Sequence, residues 1–126
     1  AVSNPEVIAA RSVDLADDLP FGTIIEVVGP NSSQGACGYS VVAPAIGYRV
    51  IADSMNKRYS DRIDILLGTE AEYATLDKGM KNAAEVLGIC TGVTIRVVGY
   101  VNVSRIPDTQ EELAKIVDVG TELALK

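Results

Sequence analysis

Short runs of β-branched residues, each closed by Gly, Pro or a polar turn, recur along this chain and restrict it to a mainly β fold. Thr23-Ile24-Ile25-Glu26-Val27-Val28 stops at Gly29-Pro30, a strand followed by a turn. Val7 to Val13 reads as a strand before it. Tyr39 to Ala43 and Tyr48 to Ala52 read as two more, joined across Pro44-Ala45-Ile46-Gly47. Ile63 to Leu67 is a short strand with Asp64 in its middle, and Val93 to Val98, running on to Val103, is the longest strand candidate. A parallel α/β sheet needs a helix after nearly every strand, and those helices are missing. The density of short strands favours a small β-barrel instead.

Two segments carry helical spacing. Thr69 is a candidate cap for a helix to about Leu87, with Tyr73, Leu76, Met80, Ala83, Ala84 and Leu87 recurring on one side and Gly88 ending it. Asp108 is a candidate cap for a final helix that places Leu113, Ile116, Val117, Gly120 and Leu123 on one face. Asn31 to Gly38 and Asp53 to Arg62 are polar connections. With 126 residues and no internal repeat, the chain is one domain.

Composition removes several classes of function. A net charge of −6, with Lys and Arg scattered apart from the Lys57-Arg58 pair and nearby Arg62, argues against nucleic-acid binding, since phosphate contacts need clustered cations. No apolar run is long enough to span a bilayer. The chain has no His, so a Ser-His-Asp or Cys-His constellation cannot form, and a structural zinc site lacks ligands. There is no phosphate-binding Gly-rich loop and no EF-hand pattern. No metal and no cofactor is expected. Cys37 and Cys90 permit one disulfide, with two free thiols as the alternative. Ala1 to Pro5 has neither a basic start nor an apolar stretch of the kind a signal peptide carries.

Carboxylates remain as catalytic groups, and Asp14, Asp53 and Asp64 are the candidates. Asp64 lies between Ile63 and Ile65, so on an alternating strand it faces away from both. Asp53 closes an apolar strand, where an Asx turn is the ordinary explanation, and Asp14 is equally readable as a strand-end residue.

The segments Val13-Asp14-Leu15-Ala16-Asp17-Asp18-Leu19-Pro20-Phe21-Gly22-Thr23 and Ile51-Ala52-Asp53 through Arg62-Ile63-Asp64-Ile65 resemble the 3D domain, a family named for three aspartates. Its members carry an Asp before a Pro-apolar-Gly-Thr turn, a second at a strand end, and a third eleven residues later in an Arg-Ile-Asp-like strand. Asp17 is an alternative to Asp14 for the first. The resemblance covers about residues 7–99, with residues 100–126 as a C-terminal strand extension and helix. Ser54-Met55-Asn56 departs from the Gly-Gly that many members carry after the second aspartate. Few residues precede Val7, where relatives have another strand.

The resemblance implies a six-stranded double-psi β-barrel. It also implies an extracellular or cell-wall protein acting on peptidoglycan glycan strands in the manner of membrane-bound lytic transglycosylase A. Asp64 would protonate the glycosidic oxygen between N-acetylmuramic acid and N-acetylglucosamine. It would then take the proton of the C6 hydroxyl as a 1,6-anhydro ring closes. Asp53 would raise the Asp64 pKa through like-charge repulsion, and Asp14 would add to that field or bind sugar hydroxyls. Tyr59 would stack on a sugar ring, with Asn56, Lys57 and Arg58 lining the groove. The rival expectation is the same barrel as a non-catalytic assembly or glycan-binding module. An uncovered barrel edge or the C-terminal helix would then join copies of the chain.

Overall fold

The computed structural model describes residues 4–30, 37–67, 72–75, 79–82, 90, 92–117 and 122–124. Among these the strands are β1 (Ile8–Arg11), β2 (Thr23–Pro30), β3 (Tyr48–Ser54), β4 (Ile63–Ile65), β5 (Glu72–Thr75), β6 (Gly79–Asn82), β7 (Val93–Tyr100) and β8 (Glu122–Ala124). The helices are α1 (Tyr39–Ile46) and α2 (Gln110–Ala114). The fold is mainly β.

Six strands form one mixed sheet in the order β4-β1-β3-β2-β7-β8. β1 and β3 are parallel and every other neighbouring pair is antiparallel. β4 and β8 stand at the two edges with no pairing between them among the described residues, so the sheet as described is open. β1 lies between β3 and β4, which are consecutive in sequence, so the β3–β4 connection passes over the end of β1.

Both faces of the sheet are covered, which explains why Ile24-Ile25 and Val50-Ile51 are apolar without alternation. Val7, Ile8, Ile24, Val50, Ala52 and Val98 pack on one face under Ile106 and Leu113 of the C-terminal segment. Ala9, Ile25, Ile51 and Ile95 pack on the other with Leu15 and Leu19 from the β1–β2 connection. Burying each of the Val, Ile and Leu side chains among these contributes about 1.5–3 kcal/mol.

Three sequence expectations are corrected. Tyr39 to Ala43 is not a strand but the start of α1, despite Val41, Val42 and Pro44. Tertiary contacts override local preference here. Ile46 packs with Leu67 against Val27, Tyr39 and Ile65, and the Tyr39 hydroxyl donates to the Val27 carbonyl at 3.0 Å. Gly47, at φ 58°, turns the chain out of the helix into β3.

The helix expected from Thr69 to Leu87 is a β-hairpin wherever it is described, with Tyr73 opposite Lys81 and Ala74 opposite Met80. Its remaining residues lie outside the described ones. Apolar spacing over such short runs fits both periods, and Tyr73 and Thr75 favour strands.

The final helix is a single short one capped by Thr109 rather than Asp108. The Thr109 hydroxyl accepts the Glu112 N–H at 3.2 Å, and Thr109-Gln110-Glu111-Glu112 is a capping-box sequence. Leu113 is buried, but Leu123 lies on β8, paired with Ile95 of β7. Gly120 lies outside the described residues.

Cys37 and Cys90 form a disulfide, which selects between the two readings of the sequence. No helix among the described residues is long and apolar enough to cross a membrane.

Candidate active site

The site is built on the last two residues of β1. Ala10 is paired with Asp53 of β3 on one side and with Asp64 of β4 on the other. Two strand spacings put the Cα atoms of Asp53 and Asp64 about 9–10 Å apart, with the Ala10 methyl between them.

This row depends on a register shift. Ala9 pairs with Ile51, yet Ala10 pairs with Asp53, so Ala52 is the extra residue of a bulge. Strict alternation would leave Asp53 on the face of Ile51, which is also the face of Ile63 and Ile65. Asp64 faces away from those residues. The bulge carries Asp53 into the row that Ala10 and Asp64 share.

The two acids differ in surroundings. Asp53 is exposed, and one of its oxygens accepts its neighbour's N–H, from Ser54, at 2.8 Å. Asp64 keeps one side open to solvent. Protein packed around the rest of its carboxyl withholds water and raises its pKa above the ordinary carboxylate value. Burial is the cause, not repulsion from Asp53 as the resemblance implied. Among the described residues the recorded ion pair is Arg96–Glu26, at 3.1 Å, so neither acid is neutralised by a cation there.

Asp14 is not part of the row. It sits in the 3-10 turn Val13–Leu15, and its Oδ2 accepts the Asp61 N–H at 2.9 Å. The Ser12 hydroxyl, and after it this N–H, hold the Asp14 carboxyl below its ordinary pKa. Asp61 has φ 51°, an uncommon conformation for a residue with a side chain. Asp14 therefore fixes the bend that returns the chain to β4.

Backbone bonds complete that fixing. Met55 donates to the Arg11 carbonyl at 2.8 Å, and Ser12 donates to the Arg62 carbonyl at 2.9 Å. The Arg62 N–H returns to the buried Ser12 hydroxyl at 3.0 Å. The connection between the two acids is thus strapped across the end of β1.

The four expected substrate-contacting residues lie in this connection. Asn56 accepts the Arg58 N–H at 3.1 Å and forms an Asx turn. Lys57 and Arg58 are exposed. The Tyr59 ring is already engaged: the guanidinium carbons of Arg58 and Arg62 lie 4.8 and 5.0 Å from its centroid. The Tyr59 hydroxyl accepts from Arg58 at 2.7 Å.

Sequence reasoning missed the residues that hold this frame. Arg49 is fully buried, and its guanidinium donates to the carbonyls of Ile46, Pro5, Ile8, Leu66 and Ala45. Burial, partly offset by Glu6, pulls its pKa down to about 10, so it stays charged at neutral pH. Arg11 donates to the Leu19 carbonyl at 2.7 Å and to Ser54 at 3.3 Å, and lies over Phe21. An Arg inside an otherwise apolar strand was the available signal for both. Gln110 continues the sheet beyond the start of β1: its amide oxygen accepts the Tyr48 N–H at 2.8 Å, and its nitrogen donates to the carbonyls of Tyr48 and Glu6.

A cleft of about 530 Å³ opens elsewhere, lined by Glu26, Tyr39, Ile46, Tyr48, Gln110 and Glu111 among others, and none of the three aspartates borders it. No group of three or more acidic or sulfur ligands suited to a metal gathers among the described residues. No protein-family model, curated protein or solved structure matches this chain.

Proposed function

We propose that this domain cleaves peptidoglycan glycan strands by the lytic transglycosylase reaction, with Asp64 as the acid and base. The observation that carries the reading is the shared row: Asp53 and Asp64 flank Ala10 on a surface that solvent reaches. A carboxyl whose pKa is raised by burial retains its proton better than an ordinary aspartic acid, which suits the donor.

Asp64 gives its proton to the oxygen between N-acetylmuramic acid and N-acetylglucosamine as that bond breaks. Asp53, across Ala10, stabilises the positive charge that develops at the sugar. The Asp64 carboxylate then accepts the proton of the muramic acid C6 hydroxyl as its oxygen closes on C1. The acid is regenerated and no water is consumed. The resemblance to 3D domains supports this chemistry, and the passage of the β3–β4 connection over the end of β1 is compatible with it. The disulfide suits an extracellular or cell-wall setting.

A second reading, a non-catalytic glycan-binding or assembly module on the same scaffold, has one observation in its favour. The acids lie outside the 530 Å³ cleft, whereas ligand sites are usually concave. Purified peptidoglycan separates the two. Release of 1,6-anhydro-muropeptides by the wild type, lost in Asp64→Asn, supports catalysis. Equal, negligible release by both leaves the binding module.

A further inference from the structure

We infer that the cleft between α1, the start of β3 and α2 binds a small organic cation, with Glu26, Tyr39, Tyr48 and Glu111 as the residues that receive its ammonium group. The cleft is separate from the row through Ala10, and the inference does not rest on the glycan reading.

The cleft arises where β3 stops short of β2. Tyr48, the first residue of β3, pairs with Glu26, while β2 runs on to Pro30. Beyond Glu26, the side of β2 that faced β3 has no strand beside it among the described residues. Tyr39 of α1 takes part of that space. Its hydroxyl donates to the Val27 carbonyl at 3.0 Å, and its ring lies against Gly29, where a Cβ would come within 3.0 Å of it. Gly47 likewise leaves room for the Gln110 amide, which is held by its bonds to Tyr48 and Glu6. About 530 Å³ remains open, in the range of small-molecule sites.

Glu26 stands beside both rings. It is directly opposite Tyr48 on the neighbouring strand, which puts their Cβ atoms about 5 Å apart. It is also within Coulombic reach of Tyr39: after burial, the Glu26 carboxylate is the second cause that raises the phenol's pKa. None of the lining residues is basic. Arg96 pairs with Glu26 at 3.1 Å from β7, and behind the wall Arg49 is offset by Glu6. Glu6, Glu26 and Glu111 against Arg49 and Arg96 leave one negative charge over. Glu111 and the Tyr48 hydroxyl make no hydrogen bond among the described residues.

This balance selects the ligand. An anion would enter against the charge. A purely apolar ligand would cover Glu111 and the Tyr48 hydroxyl without offering either a partner. An ammonium group donates to a carboxylate and is attracted to a tyrosine ring, while an organic body covers the apolar lining of Val27, Ala43, Ile46 and Ala114.

The test is a titration of the ¹⁵N-labelled full chain followed by amide shifts. Three probes share one body and differ in the end group: phenethylamine, 2-phenylethanol and 3-phenylpropionate. The amine is expected to shift the amides of Tyr48, Gln110 and Glu111 and to bind at least about tenfold more tightly than the alcohol, with no shift there from the propionate. Glu26→Gln with Glu111→Gln should weaken the amine about tenfold. Asp17→Asn with Asp18→Asn removes the same charge from the β1–β2 connection and should leave binding unchanged. Amine and alcohol binding alike, amine shifts confined to other amides, or equal weakening by the two double variants would overturn the site. The probe series is read on the wild type, so it decides the matter even where the double glutamine variant fails to fold.

Discussion

The Arg49 guanidinium donates to the carbonyl of Leu66, two residues beyond Asp64, and through its other hydrogen bonds to Pro5 and Ile8 ties the end of β4 to the start of β1. The strand that carries the candidate acid is thus anchored from the core.

Removing that anchor is costly. Arg49→Met leaves five carbonyls without the donor they share, and the expected loss is about 3 kcal/mol or more of unfolding free energy. Arg49→Lys recovers only part, since an ammonium cannot span the same acceptors. Urea denaturation of the three proteins measures this, and a Met variant as stable as wild type would contradict the role given to Arg49.

Asp64 is expected to sit at a cost to stability. Its native pKa is raised, so the folded state binds a proton more tightly than the unfolded chain. Stability then falls as pH rises from the unfolded value, about 3.9, through the native one. Asp64→Asn should melt higher than wild type at neutral pH and equal to it near pH 3, where both forms of the aspartate are protonated. A neutral-pH melting point at or below wild type would contradict this.

Asp14 has the opposite sign. Its native pKa is lowered by Ser12 and the Asp61 N–H, so its contribution is present above the ordinary value and lost as pH falls through the native one. Asp14→Asn should lower the melting point at neutral pH, with the difference closing in acid. Amide exchange at Asp61 should quicken in the variant. Unchanged exchange there would show that the carboxylate does not hold the bend.

The Cys37–Cys90 bridge spans 53 positions. Closing a loop of that length removes unfolded-state entropy worth about 4 kcal/mol. Denaturation with and without reductant should show a loss of that order, and coincident curves would contradict it.

Much of the fold was legible where β-branched runs met turn residues, as in β2, β3, β4 and β7. α1 was not, because Val41 and Val42 argue locally for a strand and Pro44 for a turn after it, while the contacts of Tyr39 and Ile46 with Val27, Leu67 and Ile65 decide the matter from elsewhere in the chain. The pairing of β5 with β6 was hidden by apolar spacing that both periods accept. At the site, the spacing from Asp53 to Asp64 drew attention to both acids. Their shared row was not readable, because it turns on one bulged residue, Ala52, and strand alternation alone would have separated them. Asp14 matched a motif position, yet its partner is a backbone N–H forty-seven residues away.

Cleavage of purified peptidoglycan in ¹⁸O-labelled water, with products resolved by mass spectrometry, tests the central claim most directly. If Asp64 serves as both acid and base across Ala10 from Asp53, the wild type releases anhydro-muropeptides without label. Asp64→Asn should then release at least about a hundredfold less. Reducing-end products carrying ¹⁸O, or release that is the same with Asn at position 64, would contradict it.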